Sequence, residues 1–238
     1  MAGHSQFANI KHKKEKEDAK RAKVFTKLAR EITVATREGG KDANFNPRLR
    51  LSIEKAKEAN MPKDNIERAI KKGAGELGSE IIEEVRYEGY APGGVAVIVD
   101  AVTDNRNRTA SEVRHAFNKN GGSLGETGSV SWSFKKLGIF EIEKENVIEE
   151  EIMEFALNNS AEDFKVTSDS FIIVCTPNSF YSFSENLEKR FKIKNSSISM
   201  ISNNLINLEG EEKENVLNLI EALESLEDVQ EVYSNLEN

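Results

Sequence analysis

The chain of 238 residues carries a formal net charge of −8, and it is long enough for one large domain or two to three small ones. Hydrophobic residues make up 38% and charged residues 31%, which excludes wholesale disorder. The longest apolar runs, at 95–99 and 171–175, have five residues, far short of the roughly 18 to 20 that span a bilayer, so we expect no membrane span.

The charge is divided unevenly along the chain. Residues 1–72 contain 19 Lys and Arg against 10 Asp and Glu, whereas the remainder contains 14 against 31. Either sign of net charge keeps a chain in solution, so a basic end on an acidic protein indicates a polyanionic partner, with nucleic acid as the first candidate. The alternative is that these cations only solvate helix faces, which is their usual role.

The chain is predicted to begin with a basic arm and a long helix. Residues 1–17 mix Lys, His and Glu without apolar periodicity and are expected to be mobile. A helix is predicted from about Ala19 to the glycine pair at 39–40. Its apolar face consists of Val24, Phe25, Leu28, Ile32 and Ala35. The opposite face is predicted to be exposed to solvent and carries Lys23, Arg30 and Arg37.

Two shorter helices are predicted to complete an N-terminal module. Asn46 at the N-cap and Pro47 at the first helical position open a second helix, which ends near Asn60. Pro62 opens a third helix, and Gly73 ends it. A glycine-rich linker follows this three-helix module.

Beyond the linker the periodicity becomes that of strands. Strands are predicted at 84–90 and 94–103, and Thr109-Ala110-Ser111-Glu112 has the form of a capping box that starts a helix. Residues 130–134 are predicted to be a further strand, with Trp132 on its buried face rather than available for base stacking. This segment therefore has the order β-β-α-β.

A second set of elements has the order β-α-β-β-α-β of a ferredoxin-like unit. Its members are predicted at 139–142, 147–157, 164–166, 171–176, 179–191 and 197–201. The tail adds a helix at 215–226 and a strand at 229–233, which are the elements that the β-β-α-β segment lacks.

The predicted fold class is therefore α+β, with an N-terminal three-helix module followed by two α+β (ferredoxin-like) domains, one inserted in the other. The domain limits are predicted as 1–78 for the basic arm and helices, 79–134 plus 207–238 for a discontinuous α+β domain, and 135–206 for the inserted βαββαβ domain.

Four segments carry a family signature. They read MAGHSQFANIKHKK, DAKRAKVFTKLAREITVATREGG, NPRLRLSIEKAKEANMPKDNIERAIKKG and YEGYAPGGVAVIVDAVTDNRNRTASEVRHAFNKNGGSLGETGSVSW. The chain resembles the YebC/PmpR family of bacterial proteins, near-continuously from Met1 to about Phe134. Gln6-Phe7 stands where that family usually has a Lys-Trp pair, which removes one potential phosphate contact.

The resemblance implies a three-domain, nucleic-acid-associated protein without enzymatic activity. Proteins of the family are described either as transcriptional regulators or as ribosome-linked translation factors, and a mitochondrial relative is a translational activator of cytochrome c oxidase. The resemblance thus implies nucleic acid (rRNA, tRNA or DNA) and the ribosome as partners.

The predicted nucleic-acid-binding residues are cations and histidines suited to phosphate contacts, which dominate affinity but carry little sequence information. They are His4, Lys11, His12, Lys13, Lys14, Lys20, Arg21, Lys23, Lys27, Arg30, Arg37, Arg48, Lys71, Lys72, Arg106 and Arg108. For Arg106 and Arg108 a local pair with Asp104 is an equally good interpretation.

The glycine-rich stretch at 121–129 offers backbone N–H groups that can approach a phosphate. It lacks the P-loop spacing and contains no Lys, and Glu126 repels a nucleotide. A tight turn or a contact with an RNA backbone is therefore favoured over a nucleotide pocket.

Catalysis, cofactors and metals are not expected. The chain has one cysteine and three histidines, and it contains neither G-x-S-x-G nor H-E-x-x-H. No N-terminal signal is recognisable, so a cytoplasmic location is predicted. The hypotheses left open are an RNA- or ribosome-associated translation factor, narrowly favoured on physical grounds, a DNA-binding transcriptional regulator, and a protein-interaction scaffold that binds no nucleic acid.

Overall fold

The computed structural model describes the backbone of residues 3–78 and 82–237, with side chains from residue 21 onward within those ranges. The first three elements are the helices α1 (Gly3–Gly39), α2 (Pro47–Glu58) and α3 (Lys63–Gly73). As predicted, Asn46 caps α2, where its side chain accepts a hydrogen bond from the Leu49 backbone N–H. The helices share a core in which Ile32 and Leu49 are fully buried. None of the helices in the described residues combines the length and apolar character that a membrane span requires.

The prediction that the first helix starts only at about Ala19, after a basic arm, is wrong for the described backbone, because α1 begins at Gly3. Residues 11–23 consist mainly of Lys, Glu, Ala and Arg. These residues have high intrinsic helix propensity, so a helix continues through them without an apolar stripe. The sequence pattern marked where the helix gains a buried face and not where the helix starts.

The elements after residue 82 form two four-stranded sheets with their helices. In chain order they are β1 (Glu83–Tyr90), β2 (Ala96–Thr103), α4 (Arg106–Lys119), β3 (Ser123–Leu124), β4 (Phe134–Glu143), α5 (Glu149–Asn158), β5 (Asp163–Val166), β6 (Ser170–Cys175), α6 (Phe180–Glu188), β7 (Ile193–Ser202), α7 (Gly210–Glu224) and β8 (Val229–Ser234).

The first sheet has the strand order β3-β1-β2-β8, with antiparallel neighbours throughout. Strand β2 is buried on both faces. Val97 and Val99 belong to the core that contains Phe117 of α4 and Leu219 of α7. Since successive side chains of a strand point to opposite faces, Ile98 lies on the other side of the sheet, in a different core.

The second sheet has the strand order β5-β6-β4-β7, again antiparallel, which is the order of a ferredoxin-like βαββαβ unit. Its core contains stacked rings of Phe140 and Phe180, 4.8 Å apart, and the buried Cys175. The unit lies in the chain between β3 and α7, so the predicted α+β fold class with one unit inserted in the other is confirmed. The domain limits at 78, 134 and 206 stay predictions, with which this strand order is compatible.

The two sheets and the helical module are packed together. Ile98 on the outer face of the first sheet shares a core with Phe134 and Met200 of the second. On the helical side, Val34 of α1 packs with Val102 of β2. The basic module is therefore in direct contact with the acidic remainder of the chain.

The predicted strand at 130–134 is wrong. Residues 131–133 form a single 3₁₀ turn, and Phe134 already begins β4, which is longer than predicted. The cause is Glu88, a buried carboxylate that accepts hydrogen bonds from the backbone N–H groups of Val130 and Ser131, both at 2.8 Å. Those N–H groups therefore have a side-chain partner in place of a neighbouring strand.

The predicted capping box is also wrong, because α4 begins at Arg106 and its N-cap lies four residues before Thr109. Asn105 is the N-cap, and its side chain accepts a hydrogen bond of 3.1 Å from the Arg108 N–H. Thr109 is fully buried, and its hydroxyl donates to the Asp228 carboxylate instead of capping a helix.

Candidate nucleic-acid interface

Six of the sixteen predicted contact residues have side chains outside the described residues. They are His4, Lys11, His12, Lys13, Lys14 and Lys20. The other ten fall into two groups, because some are held by carboxylates or carbonyls of the protein itself and others point into solvent.

Two lysines of α1 bind the carboxyl end of α7. Lys23 Nζ donates to the Ser225 carbonyl at 3.3 Å, and Lys27 Nζ donates to the Glu224 carbonyl at 3.0 Å. The last carbonyls of a helix have no partner within the helix and carry its negative partial charge, so ammonium groups at this position stabilise the helix end. Burial lowers the pKa of Lys27, an effect that the nearby Glu231 and Glu224 oppose.

Arg30, one turn further along α1, continues this contact. Its guanidinium donates to the Glu227 carbonyl at 2.6 Å and to the Glu227 carboxylate at 3.3 Å. It also lies 2.9 Å from Asp228 Oδ1, an ion pair whose angles do not make a hydrogen bond. The Arg30 side chain is only 17% exposed, so the predicted solvent stripe is wrong at this position. We call Lys23, Lys27 and Arg30 the clasp.

Asp228 is the buried anion at the centre of this contact. Its side chain is 2% exposed, and its Oδ2 accepts from the Thr103 and Thr109 hydroxyls, at 3.0 and 2.6 Å, and from Arg108 at 2.8 Å. Burial by itself raises the pKa of Asp228, but the hydrogen bonds from Thr109, Arg108 and Thr103 outweigh it and hold that pKa below its ordinary value. The carboxylate thus joins α1, β2 and α4 to the turn before β8.

Arg108 is held by two carboxylates, since it also donates to Asp104 at 2.8 Å. The local pair that the sequence left open is therefore present. Arg106 is different: its side chain is 67% exposed, and its one ion pair among the described residues is a long contact of 3.7 Å with Glu83.

Arg48 is engaged by three carboxylates, from Glu31 at 2.8 Å, Glu38 at 2.6 Å and Glu84 at 2.7 Å. Burial by itself lowers the pKa of Arg48, but its bonds to Glu31 and Glu84 raise that pKa above its ordinary value. Because these carboxylates lie on α1 and β1, the guanidinium connects the helical module to the first sheet.

A second group of cations, on α1 and α3, is exposed and makes no ion pair or side-chain hydrogen bond with any described residue. We call this group the open cations: Arg21, Arg37, Arg68 and Lys71. Arg68 was not among the predicted contact residues. It could have been predicted from the polar face that it shares with Lys71 and Lys72 on the strongly amphipathic α3. Lys72, which is half-buried, has a partner.

A groove of about 400 Å³ runs between α1 and α3 and reaches the turn after β2. Its cationic lining residues are Arg30, Arg68 and Lys72, and its polar lining includes Asn65 and Asp104. The groove therefore brings cations of both helices to one concave surface, where Arg30 is engaged by Glu227 and Asp228 and Lys72 has a partner, whereas Arg68 belongs to the open cations.

The glycine-rich stretch does not offer a phosphate cradle. In addition to Val130 and Ser131, the Gly128 N–H donates to the Glu88 carboxylate at 2.9 Å, and the Gly125 N–H donates to the Glu88 carbonyl at 2.8 Å. Burial by itself raises the pKa of Glu88, but the backbone N–H groups outweigh it and lower that pKa. A carboxylate of the chain occupies the place that an anionic ligand would take.

Trp132, predicted to be buried, is 74% exposed. Because residues 131–133 form a turn and not a strand, the expected in-and-out alternation does not apply to them. The indole N–H donates to the Ser129 carbonyl at 2.9 Å, so the ring is fixed by its edge while its body lies in solvent.

Comparisons with known proteins identify the family. The family model described as "TACO1/YebC protein N-terminal domain" matches residues 5–76, and the one described as "TACO1/YebC second and third domain" matches residues 82–236. A "probable transcriptional regulatory protein" of Natranaerobius thermophilus is 54% identical over 100% of this chain and 96% of its own length. A protein of the same description from Aquifex aeolicus is 60% identical over 79% of this chain and 76% of its own length.

A solved structure has the same fold. The crystal structure of the conserved hypothetical protein Aq1575 from Aquifex aeolicus superimposes with a TM-score of 0.82 at 53% identity, covering 92% of this chain and 91% of that one. Sequence and fold agree over almost the whole length, and the chain belongs to the TACO1/YebC family.

Proposed function

We propose that this protein regulates gene expression by binding nucleic acid through phosphate contacts from its helical module, without catalysing a reaction. The observation that carries the proposal is the segregation of charge, with 19 Lys and Arg against 10 Asp and Glu in residues 1–72 of a chain whose net charge is −8. A polyanion attracted to the basic pole is repelled by the acidic remainder, which orients the complex.

The proposed contact surface consists of the open cations, the part of the groove between α1 and α3 that Arg68 lines, and the basic residues of the first half of α1. Arg106 is added because it is exposed and only loosely paired. The clasp residues and Arg48 and Arg108 are assigned to holding the fold together, because their donors are already directed at carboxylates and carbonyls of the chain.

RNA is the favoured nucleic acid. Reading a DNA sequence requires several side chains on a rigid element in the major groove, usually with a twofold repeat of that element. The described cations lie instead on different helices and around a groove, an arrangement that suits the irregular backbone of folded RNA, including that of the ribosome. We therefore propose a role in translation, with DNA-binding transcriptional regulation as the second candidate because the relatives are named as transcriptional regulators. A scaffold without nucleic acid is the remaining alternative.

The test uses the full chain and a fluorescently labelled RNA. Replacing Arg21, Arg68 and Lys71 together by Gln is expected to weaken binding and to lower the slope of log affinity against log salt by about 2 to 3, since each phosphate contact contributes about 0.7 to 0.9. A matched control replaces Lys165, Lys189 and Lys192, exposed on the inserted unit, by Gln and changes the net charge equally. Equal loss in both variants would show that total charge, and not the helical module, governs binding.

The choice between RNA and DNA is made with the same variants. If the protein works in translation, the wild type sediments with ribosomal fractions in a sucrose gradient, and the triple variant in the helical module remains at the top. Protection of a defined promoter from nuclease at physiological salt, without ribosome association, would favour the transcriptional role instead.

A further inference from the structure

The exposed side chain of Trp132 is carried by a backbone turn that hydrogen bonds and a buried core hold in place. The 3₁₀ turn that carries it is held from below by the Glu88 carboxylate, which is 2% exposed and accepts three backbone N–H groups. Val130, next to the turn, is fully buried between the two sheets. The backbone around the indole is thus fixed by hydrogen bonds to a buried carboxylate and by a core between the two sheets, although the ring itself is 74% exposed.

A second exposed aromatic residue lies beside it. The Tyr90 hydroxyl donates to the Ser129 carbonyl at 3.1 Å, and the Trp132 indole N–H donates to the same oxygen at 2.9 Å. The two rings therefore converge on one backbone atom, with Tyr90 39% exposed. Since the polar group of each ring is directed at the protein, the surface that remains available to a partner is aromatic.

The surroundings favour a nucleobase over a protein side chain. The stretch 121–129 has Leu124 as its one apolar side chain, so it offers little of the apolar core that a protein interface places around an aromatic anchor. Lys135, which is exposed, follows the turn on β4, and the exposed acidic residue of the stretch before the turn is Glu126. The Lys135 side chain makes no hydrogen bond or ion pair with any described residue.

We infer that Trp132 and Tyr90 form a stacking platform for an unpaired base of a single-stranded nucleic acid, with Lys135 placed near the adjoining phosphate. The inference rests on the proposed function and adds a second contact outside the helical module. Stacking on an aromatic ring requires that the base has left a duplex, so the platform selects unpaired segments without reading their sequence.

The single tryptophan of the chain makes the test direct, because all tryptophan fluorescence comes from Trp132. The full chain is titrated with a single-stranded oligouridylate, with a duplex RNA of equal charge and with inorganic polyphosphate. We expect the oligouridylate to quench the fluorescence and the other two polyanions to bind without quenching it. Equal quenching by polyphosphate would overturn the inference, since polyphosphate has no base to stack.

Affinity for the labelled oligouridylate gives an independent measurement. Trp132→Ala is expected to weaken binding by about 5- to 150-fold, the loss typical of removing one stacked base, and Trp132→Phe to restore most of it. Leu157→Ala is the matched control, because Leu157 is 73% exposed but lies on α5. Thermal unfolding of each variant shows whether the fold is intact, and the Phe variant keeps the comparison valid if the Ala variant is damaged.

The outcomes separate this inference from the proposed function. Salt-dependent binding of the oligouridylate with no quenching and no loss in Trp132→Ala would overturn the platform and leave the phosphate contacts standing. Absence of binding by every polyanion would overturn both. RNA affinity that is unaffected by Trp132→Ala, together with loss of a defined protein partner, would assign the platform to protein recognition and overturn the inference.

Discussion

The clasp and the open cations lie on the same helical module, yet they meet different surroundings. Lys23, Lys27 and Arg30 are directed at carbonyls and carboxylates near the end of α7, whereas Arg21 and Arg68 are exposed and make no ion pair with described residues. A count of charges assigns both groups to a nucleic-acid surface. The structure assigns one group to holding the module against the acidic part of the chain, so only the other is available to a partner without a change in conformation.

Replacing Asp228, the buried anion that Arg30 of the clasp contacts, is expected to have the largest effect on stability. Asp228→Asn removes the buried negative charge that Arg30 and Arg108 share and disturbs its hydrogen bonds, and we expect this to lower the free energy of unfolding by about 3 kcal/mol, although each arginine keeps a second carboxylate. Chemical denaturation measures this loss. Asp169→Asn, at an exposed position, is the control and is expected to change the unfolding free energy by less than about 0.5 kcal/mol. Equal stability of both variants would show that the Asp228 network contributes nothing net.

Lowering the pH is expected to weaken the hydrogen bonds that the Asp228 and Glu88 carboxylates accept. The folded-state pKa of Asp228 lies below its ordinary value of 3.8 and that of Glu88 below 4.5. A lowered folded-state pKa contributes stability that is present above the ordinary value and is lost as the pH falls through the folded value. The unfolding free energy should therefore fall below about pH 4, and it should fall less steeply in Asp228→Asn. An identical pH profile for the wild type and this variant would contradict the assignment.

The smallest effect on stability is expected when two clasp residues and two open cations are replaced in separate double variants. Lys23→Met with Lys27→Met removes two ammonium groups from the end of α7 and is expected to lower the unfolding free energy by about 1 kcal/mol. Arg21→Met with Arg68→Met is expected to leave stability nearly unchanged and to weaken RNA binding instead. Unfolding and RNA titrations of both double variants test this. If the clasp variant lost RNA affinity while keeping its stability, the clasp would belong to the binding surface.

Much of the fold was predictable because it depends on local patterns. The Asn46-Pro47 start of α2, the change from helical to strand periodicity and the βαββαβ order of the second sheet all follow from backbone preferences and the side-chain period of each element. The start of α1 was missed because high helix propensity leaves no apolar pattern to detect.

What the sequence by itself determined was the α+β architecture, the family and the separation of charge between the two parts of the chain. Only the tertiary structure decided which cations are available and which aromatic ring is exposed. Arg30 meets Asp228, and Glu88 meets the turn that carries Trp132, across long separations in sequence. No local period encodes such partners. A buried carboxylate must be satisfied by whatever donors the fold brings to it, and that requirement directs side chains and turns which propensity alone would place elsewhere.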